Sequence, residues 1–467
     1  MIADVLWIPL IVLVACALPI GGLARVLAVL SGLATSVTVA AAAWTGYGGD
    51  WIGTASWAAP LGAQLGLGGS GWTAALLMVS GVVFAAGAAA SGDVQRPRAF
   101  FALWSLLQLA VAGVLVARDL ILFIAFWQGV LVPLALLVWL WGGADRRRAA
   151  VRLVSHWLTA DALLLTGVLA LGVGARTFSL AELASYRLGE GSQVVLALLF
   201  LAAFAMRLPL FPFHTWLSRA TVAAPIPVAI LLVSVIPAIA VYGIATVCVP
   251  LFPHAMQVLG PYLMGLAAVG ALYAAVLAFR QRDLRALLAY ASVSQVGLVA
   301  IGAFGATSNG LQGALLGAVG HALAIAAVFV LAAALTRRSG TFGIAGHALA
   351  AQPVLASLFV IALLATIGLP GTAGAAALIL VLTSAFAGSP GIALLASLVA
   401  IGSAAYAARV IRSLLSAPAE LRAADLGWRE RAIVIALLTL VIALGIVPRA
   451  ITGFADRDVP ALTERAR

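Results

Sequence analysis

The sequence predicts an all-α integral membrane protein with about fourteen transmembrane helices, two inverted five-helix repeats and two broken helices. Of its 467 residues, 64% are hydrophobic and only 9% are charged. The mean hydropathy of +1.17 lies far above that of soluble globular proteins. The apolar segments follow one another with short loops, so the chain is one continuous bundle with no extramembrane region long enough to form a catalytic domain.

Apolar runs of membrane length define the predicted spans. They lie near 5–22, 25–45, 72–91, 99–116, 120–142, 151–173, 193–218, 226–249, 259–279, 286–304, 312–336, 353–387, 391–413 and 432–452. The predicted organisation is an N-terminal group of transmembrane helices (1–116), a transmembrane core (117–390) and a C-terminal group of transmembrane helices (391–467).

The charge pattern predicts the orientation of these spans. The chain has 26 basic and 15 acidic residues, and every basic residue is Arg. With fourteen spans, most Arg clusters fall in loops on one side, which the positive-inside rule makes cytoplasmic, with both termini outside. The net charge of +11 is therefore interpreted as an orientation signal, and no nucleic-acid partner is expected.

Two spans, the seventh and the twelfth, are interrupted. The seventh contains Pro209 and Pro212, and the twelfth contains Pro370 within Ile367-Gly-Leu-Pro-Gly-Thr372. Proline removes a backbone donor, so each break must have protein or water around it. Breaks five spans apart favour a five-helix unit repeated with inverted topology, as in transporters. The simpler alternative is that Pro and Gly are common in membrane helices.

Few ionisable residues lie inside spans, and each is a candidate for an ion pathway. They are Arg207 in the seventh span, Asp161 with His156 in the sixth, and His321 in the eleventh. Structural roles, such as a clamp on carbonyl groups or a hydrogen bond between helices, are the alternatives. Because Asp161 is the carboxylate nearest the middle of a span, it is predicted to contact Arg207 directly or through one water, with Gln128 hydrogen-bonded nearby.

Motifs for other chemistry are lacking. Cys16 and Cys248 lie in apolar context, far apart in sequence, and are interpreted as small buried hydrophobes. The sequence contains no phosphate loop, nucleophile arrangement, metal spacing or haem motif. We therefore expect no catalytic residue, metal or cofactor in this chain, which is not catalytic by itself.

Several stretches resemble the antiporter-like membrane subunits of respiratory complex I, especially the M type, with relatives in multisubunit cation/proton antiporters and membrane-bound hydrogenases. They lie between about 120 and 380, in the family's order. The matching stretches are Leu122-Phe-Ile-Ala-Phe-Trp-Gln-Gly-Val-Leu-Val-Pro133, Thr177-Phe-Ser-Leu-Ala-Glu-Leu183, Arg207 through Leu217, Asp283-Leu-Arg-Ala-Leu-Leu-Ala-Tyr-Ala-Ser-Val-Ser-Gln-Val-Gly297, Gly320-His-Ala322 and Gly368-Leu-Pro-Gly-Thr372.

This resemblance implies a proton relay whose residues are here mostly replaced. The family's fifth-span glutamate falls on Gln128 and its seventh-span lysine on Arg207. The remaining positions are Ala238 for the eighth-span lysine, Gln295 and His321 for the two histidines, and Leu378 for the twelfth-span acid. Gln, Ala and Leu cannot exchange a proton, and Arg stays protonated.

The predicted function is that of an antiporter-like subunit of a complex I-type NADH-quinone oxidoreductase or related assembly in the cell (inner) membrane. It would be associated with proton translocation coupled to electron transfer, with other membrane subunits, protons or cations and the lipid bilayer as partners. One alternative is a non-conducting structural or docking subunit. Another is the membrane subunit of a cation/proton antiporter or of an ion-driven inorganic-carbon uptake system. Gln128, Arg207, Gln295 and His321 are predicted to point into the bundle, because polar side chains facing lipid are costly.

Overall fold

The computed structural model describes residues 3–18, 22–44, 52–53, 56–58, 63–344, 352–416, 425–456 and 458, and these form a helical bundle. The helices are α1 (Trp7–Ala15), α2 (Leu23–Trp44), α3 (Gly71–Ala89), α4 (Pro97–Val116), α5 (Leu120–Trp141), α6 (Arg146–Ala175), α7 (Leu180–Ser185), α8 (Glu190–Arg207), α9 (Thr215–Ala223), α10 (Ile226–Val233), α11 (Val235–Gly243), α12 (Val249–Leu251), α13 (Pro253–Arg280), α14 (Leu284–Gly305), α15 (Ser308–Ser339), α16 (Pro353–Thr366), α17 (Ala373–Gly388), α18 (Pro390–Leu415), α19 (Trp428–Ile446) and α20 (Arg449–Ala455).

Short strands occur between α2 and α3. They are β1 (Ile52–Gly53), β2 (Ser56–Ala58), β3 (Ala63–Gln64) and β4 (Leu67–Gly68), and β1 pairs antiparallel with β4 and β2 antiparallel with β3. Because each strand has only two or three residues, they form small ribbons in a connection and leave the all-α architecture unchanged.

Eleven helical segments in the described part of the chain are long and apolar enough to cross a membrane. The three other predicted spans correspond to the short helix near the N-terminus, the broken pair α16 and α17, and α19. The multi-pass helical class is thus confirmed, whereas the number fourteen stays a prediction, as do the division at residues 116 and 390 and the side on which the Arg clusters lie.

The centre of the bundle is formed by α15 and by the run from α10 to α12. In both segments the most apolar window is entirely buried inside the protein. Helices that are apolar on all sides are expected in such a position, because neighbouring helices cover every face. Side chains at mid-length on these two segments therefore face protein, not lipid.

Both interrupted spans are broken as predicted. The seventh divides into α8 and α9 around Leu208–His214, which contains Pro209 and Pro212, and the twelfth into α16 and α17 around Ile367–Thr372, which contains Pro370. In the second break, Gly368 and Gly371 have φ of +86° and +87°, values that glycine adopts without a steric penalty.

A matching feature at the start of α5 and α14 supports two related halves, since these helices correspond to the fifth and tenth predicted spans, which are five spans apart as the two breaks are. The carboxylate of Asp119 accepts hydrogen bonds from the first backbone N–H groups of α5, and that of Asp283 does the same for α14. The backbone of Asp119 also forms an isolated antiparallel β-bridge with Ser179, and the backbone of Asp283 forms one with Gly343. Both pairings join residues 60 positions apart (179 − 119 and 343 − 283), so the local structure repeats with its spacing preserved.

The connection before α19 is tied to the second broken span by Asp425. Its carboxylate accepts from the backbone N–H groups of Val354 and Leu355 at 2.9 and 3.0 Å, which caps the start of α16. Burial raises the pKa of Asp425, but hydrogen bonds from Val354, Leu426 and Leu355 outweigh it and bring the pKa below its ordinary value. The carboxylate is therefore ionised, as a helix N-terminus favours.

Candidate functional site

The first candidate site is built around Arg207, the last residue of α8. Its Nη2 donates to both carboxylate oxygens of Asp161 on α6, at 2.7 and 2.9 Å, and its Nη1 donates to the carbonyl of Trp127 on α5 at 2.7 Å. The two side chains are 0% and 2% exposed. The predicted direct contact between Asp161 and Arg207 is thus confirmed.

Two indole rings enclose the guanidinium. Its central carbon lies 4.2 Å from the ring centroid of Trp127 and 4.4 Å from that of Trp157. Both rings are fully buried, and a cation close to an aromatic face gains electrostatic attraction that strengthens when water is excluded. The Arg207–Asp161 ion pair therefore lies inside an aromatic cage, and the Arg207 Nε has no hydrogen-bond partner among the described groups.

The break after α8 has its backbone groups satisfied by protein. The Pro209 nitrogen cannot donate to Ala205, and the Ala205 carbonyl instead accepts from Leu210 at 3.1 Å. The Met206 carbonyl accepts from the indole nitrogen of Trp216 on α9 at 2.8 Å. Such replacement partners are what a helix break inside a membrane requires.

The prediction for Gln128 is wrong. Its side chain is exposed, although its neighbour Trp127 is fully buried. Successive residues on an α-helix point about 100° apart, so α5 directs Trp127 at Arg207 and Gln128 away from the bundle. The missing fifth-span carboxylate is replaced by Asp161 and by the Trp127 carbonyl, not by Gln128.

The second candidate site surrounds His321 on α15, which is 6% exposed. Its Nε2 lies 2.9 Å from the Ser292 hydroxyl of α14 and 3.2 Å from the carbonyl of Val233, and the Ser292 hydroxyl donates to the same carbonyl at 2.9 Å. The Val233 carbonyl is available because Pro237, four residues later, has no N–H to donate to it. A third break, between α10 and α11, thus supplies the acceptor.

A small cavity of about 30 Å³ adjoins His321. It lies between α14, α15 and the second broken span, and its wall includes Gln295, Thr366 and Leu378. Gln295 is half-buried and donates to the Ser403 hydroxyl of α18 at 3.0 Å. A cavity of this size can hold about one water molecule where polar groups are present. Gln295 and His321 therefore face the interior, as predicted, and border one water-sized space.

The two sites include residues that the sequence alone did not indicate. Ser292, Ser403, Trp127 and Trp157 are typical buried residues of membrane helices by type and position. Pro237 carried a readable signal, since a proline inside an apolar span always frees the carbonyl four residues earlier.

We expect His321 to be a neutral imidazole with its proton on Nε2. The Val233 carbonyl can only accept hydrogen bonds, so the contact of His321 Nε2 with it is a hydrogen bond only if Nε2 carries a proton. In that tautomer Nδ1 is an acceptor, and it has no hydrogen-bond partner among the described groups. Nitrogen-15 NMR of the histidine-labelled chain, with the signal assigned by His321→Gln, distinguishes the tautomers. A proton on Nδ1 would contradict the assignment of Nε2 as the donor.

Comparison with known proteins places this chain in a family. The sequence profile described as NADH:quinone oxidoreductase/Mrp antiporter, TM matches residues 117–402, more than half of the chain. NAD(P)H-quinone oxidoreductase chain 4 2 of Microcystis aeruginosa is 35% identical over 331 residues, covering 70% of this chain and 60% of the relative. NADH-quinone oxidoreductase subunit M of Rhodobacter capsulatus is 28% identical over 388 residues, covering 79% and 76%. The matched region spans about 60% of the length of the cyanobacterial relatives.

Solved structures match the whole chain. A chain in the structure of respiratory complex I from Thermus thermophilus with bound NADH is 29% identical, with a TM-score of 0.92 and coverage of 100% of this chain and 99% of that one. A chain of the Mrp complex from Dietzia sp. DQ12-45-1b, at 20% identity, has a TM-score of 0.83 and shows the same fold. The chain belongs to the transmembrane family of NADH:quinone oxidoreductases and Mrp antiporters.

Proposed function

We propose that this chain is an antiporter-like membrane subunit of a complex I-type NADH-quinone oxidoreductase or a related multisubunit assembly, and that it takes part in proton translocation. The observation that carries the proposal is the match to a complex I chain over essentially the full length of both chains. The two broken spans, each beside a buried polar site, support a transport role, because interrupted membrane helices commonly frame ion pathways.

The exposed position of Gln128 supports a neighbouring subunit. A polar amide facing lipid is costly, whereas the same amide can be hydrogen-bonded at a contact with protein. The outward face of α5 also exposes Val132 at 57%, Trp139 at 43% and Leu140 at 50%, which suits either lipid or an apolar partner. A partner subunit that covers Gln128 and hydrogen-bonds its amide would remove the free-energy cost of exposing this amide to lipid.

The Arg207 site can provide fixed charge but cannot pass on a proton through the guanidinium. Arg is protonated throughout the physiological range, and the cage leaves no exposed surface on the side chain. Movement of the broken span could separate Arg207 from Asp161 and free the carboxylate to accept a proton. The site is thus suited to an electrostatic switch, with Asp161 as its titratable member.

The His321 site retains a titratable group next to a water-sized cavity, but its neighbours are inert. Ala238 is buried at 7% exposure, and Leu378 lines the cavity. A proton reaching Nδ1 from a cavity water would give an imidazolium whose Nε2 hydrogen bonds remain in place. The loss of titratable groups on either side favours the second candidate function, a non-conducting structural subunit that holds active partners.

Co-purification tests the assembly. We expect a tagged full-length chain, expressed at its native level and extracted in mild detergent, to bring other membrane subunits with it. Quinone-reducing partners would support the leading proposal, and cation/proton antiporter subunits the related assembly. A monodisperse chain without partners, together with failure of a crosslinker placed at Gln128→Cys to trap any protein, would count against both.

Proton flux separates the conducting and structural roles. In proteoliposomes of the intact assembly, we expect His321→Gln to lower translocation by about 100-fold, the lower range for loss of a positioned proton-transferring group. His254→Gln is the matched control, since His254 is partly exposed and lies beside Glu190, away from both sites. Equal flux in the two variants, with normal assembly, would favour the structural role.

A further inference from the structure

A depression rich in Arg lies where the loop between α5 and α6 meets α9 and the start of α14. It has a volume of about 920 Å³, and its wall includes Arg147, Arg148, Arg152, Arg219 and Arg285. The Gly143 N–H donates to the Ala223 carbonyl at 2.8 Å, which fixes the loop against the end of α9. The depression is therefore a defined pocket and not a gap between independent loops.

The pocket carries five Arg side chains against a single internal carboxylate. Its one acidic residue, Asp145, lies 3.8 Å from Arg148, and both side chains are highly exposed. Arg285 is held by Asp283 at 3.3 Å and by the ring of Phe342 at 3.9 Å. Arg147, Arg152 and Arg219 have no ion pair among the described residues, in contrast to Arg337 and Arg338, which both pair with Glu430.

An apolar surface leads away from the pocket along α6. Val151 lines the pocket and is 64% exposed, and Leu158, Leu165 and Leu169 continue the same helix face with exposures of 54%, 36% and 43%. Residues seven apart lie almost above one another on a helix. The surface thus combines a cationic pocket at the membrane boundary with an exposed apolar stripe along a membrane span.

We propose that this pocket binds the phosphate of an anionic phospholipid, with an acyl chain along the apolar stripe of α6. Guanidinium groups match phosphate oxygens in charge and geometry, and basic pockets between membrane helices on the predicted cytoplasmic side are suited to lipid headgroups. A positive-inside signal alone accounts for the sign of the charge. It does not account for a pocket that adjoins the apolar stripe of α6.

The test compares lipids and variants on the full chain in detergent, using native mass spectrometry with added phosphatidylglycerol or phosphatidylcholine. We expect wild-type protein to retain phosphatidylglycerol preferentially. Each surface Arg contributes about 1 kcal/mol, or about 5-fold in affinity, so Arg152→Gln with Arg219→Gln should weaken retention about 25-fold. The matched control, Arg282→Gln with Arg412→Gln, removes the same charge from the loop before α14 and the last turn of α18, both outside the pocket, and should leave retention unchanged.

Three outcomes would overturn the proposal. They are equal retention of the two lipids by wild type, equal loss in the pocket and control variants, and displacement of phosphatidylglycerol by millimolar inorganic phosphate. The last outcome would assign the pocket to a free anion. Thermal unfolding of every variant is measured in parallel, and the exposed Arg side chains are expected to leave the unfolding temperature unchanged.

Discussion

Asp161→Asn is expected to lower the free energy of unfolding by about 3–5 kcal/mol, because removal of one partner leaves a buried charge uncompensated. The Arg207 guanidinium is fully buried, and Asp161 is its anionic partner in the structure. The Asn side chain keeps one oxygen as an acceptor but carries no charge, and its NH₂ group cannot accept from Arg207. The aromatic cage cannot replace the carboxylate, since it is present in both proteins.

Thermal unfolding of the isolated chain in detergent measures this effect. Asp145→Asn is the matched control, because the Asp145 side chain is exposed and lies 3.8 Å from Arg148. We expect this control to change the free energy of unfolding by no more than about 0.5 kcal/mol. The double variant Asp161→Leu with Arg207→Met should be more stable than Asp161→Asn, because it removes both charges. Similar unfolding temperatures for Asp161→Asn and Asp145→Asn would show that the pair does not stabilise the fold.

Gln128→Glu separates the present structure from the arrangement in which residue 128 faces Arg207. Since residue 128 is exposed on the outward face of α5, the new carboxylate points away from Arg207 and forms no ion pair with it, and we expect no gain in stability in the isolated chain. A clear gain in stability would instead place the fifth-span residue near the guanidinium.

The sequence allowed prediction of those features that stand out in an apolar chain. Pro209, Pro212 and Pro370 interrupt spans wherever they occur, and an Arg inside a membrane needs an anion, of which Asp161 was the one at suitable depth. Both arguments rest on the free-energy cost of an unpaired backbone group or charge in the membrane, and they hold without knowing which way a helix faces.

The direction of individual side chains was harder to predict. On a helix that is apolar on all sides, periodicity does not identify the inward face. The resemblance and the cost of a polar side chain facing lipid placed Gln128 inside, and this was wrong. The partners of His321 depend on α10, α11 and α14 meeting at one point. No pattern within a single span encodes that meeting, although Pro237 marked the carbonyl that would become available.

Gly445→Ala is the second substitution with a large expected effect, because α19 packs directly on the second break. A Cβ atom at Gly445 would approach backbone atoms of Gly371 and Thr372 to under 3.0 Å. Backbone atoms at a break held by two left-handed glycines cannot yield as a flexible side chain would. We expect a loss of about 3 kcal/mol in the free energy of unfolding, at the upper end for overpacking.

Gly265→Ala on α13 provides the matched control, since no atom lies within 4 Å of the added Cβ. This substitution should be neutral or stabilise the helix by about 0.5–1 kcal/mol, through reduced flexibility of the unfolded chain. Thermal unfolding of the two variants in the same detergent gives the comparison. If Gly445→Ala behaved like Gly265→Ala, α19 would not be in close contact with the break. A selective loss would show that α19 fixes the Ile367–Thr372 break, and with it the wall of the cavity beside His321.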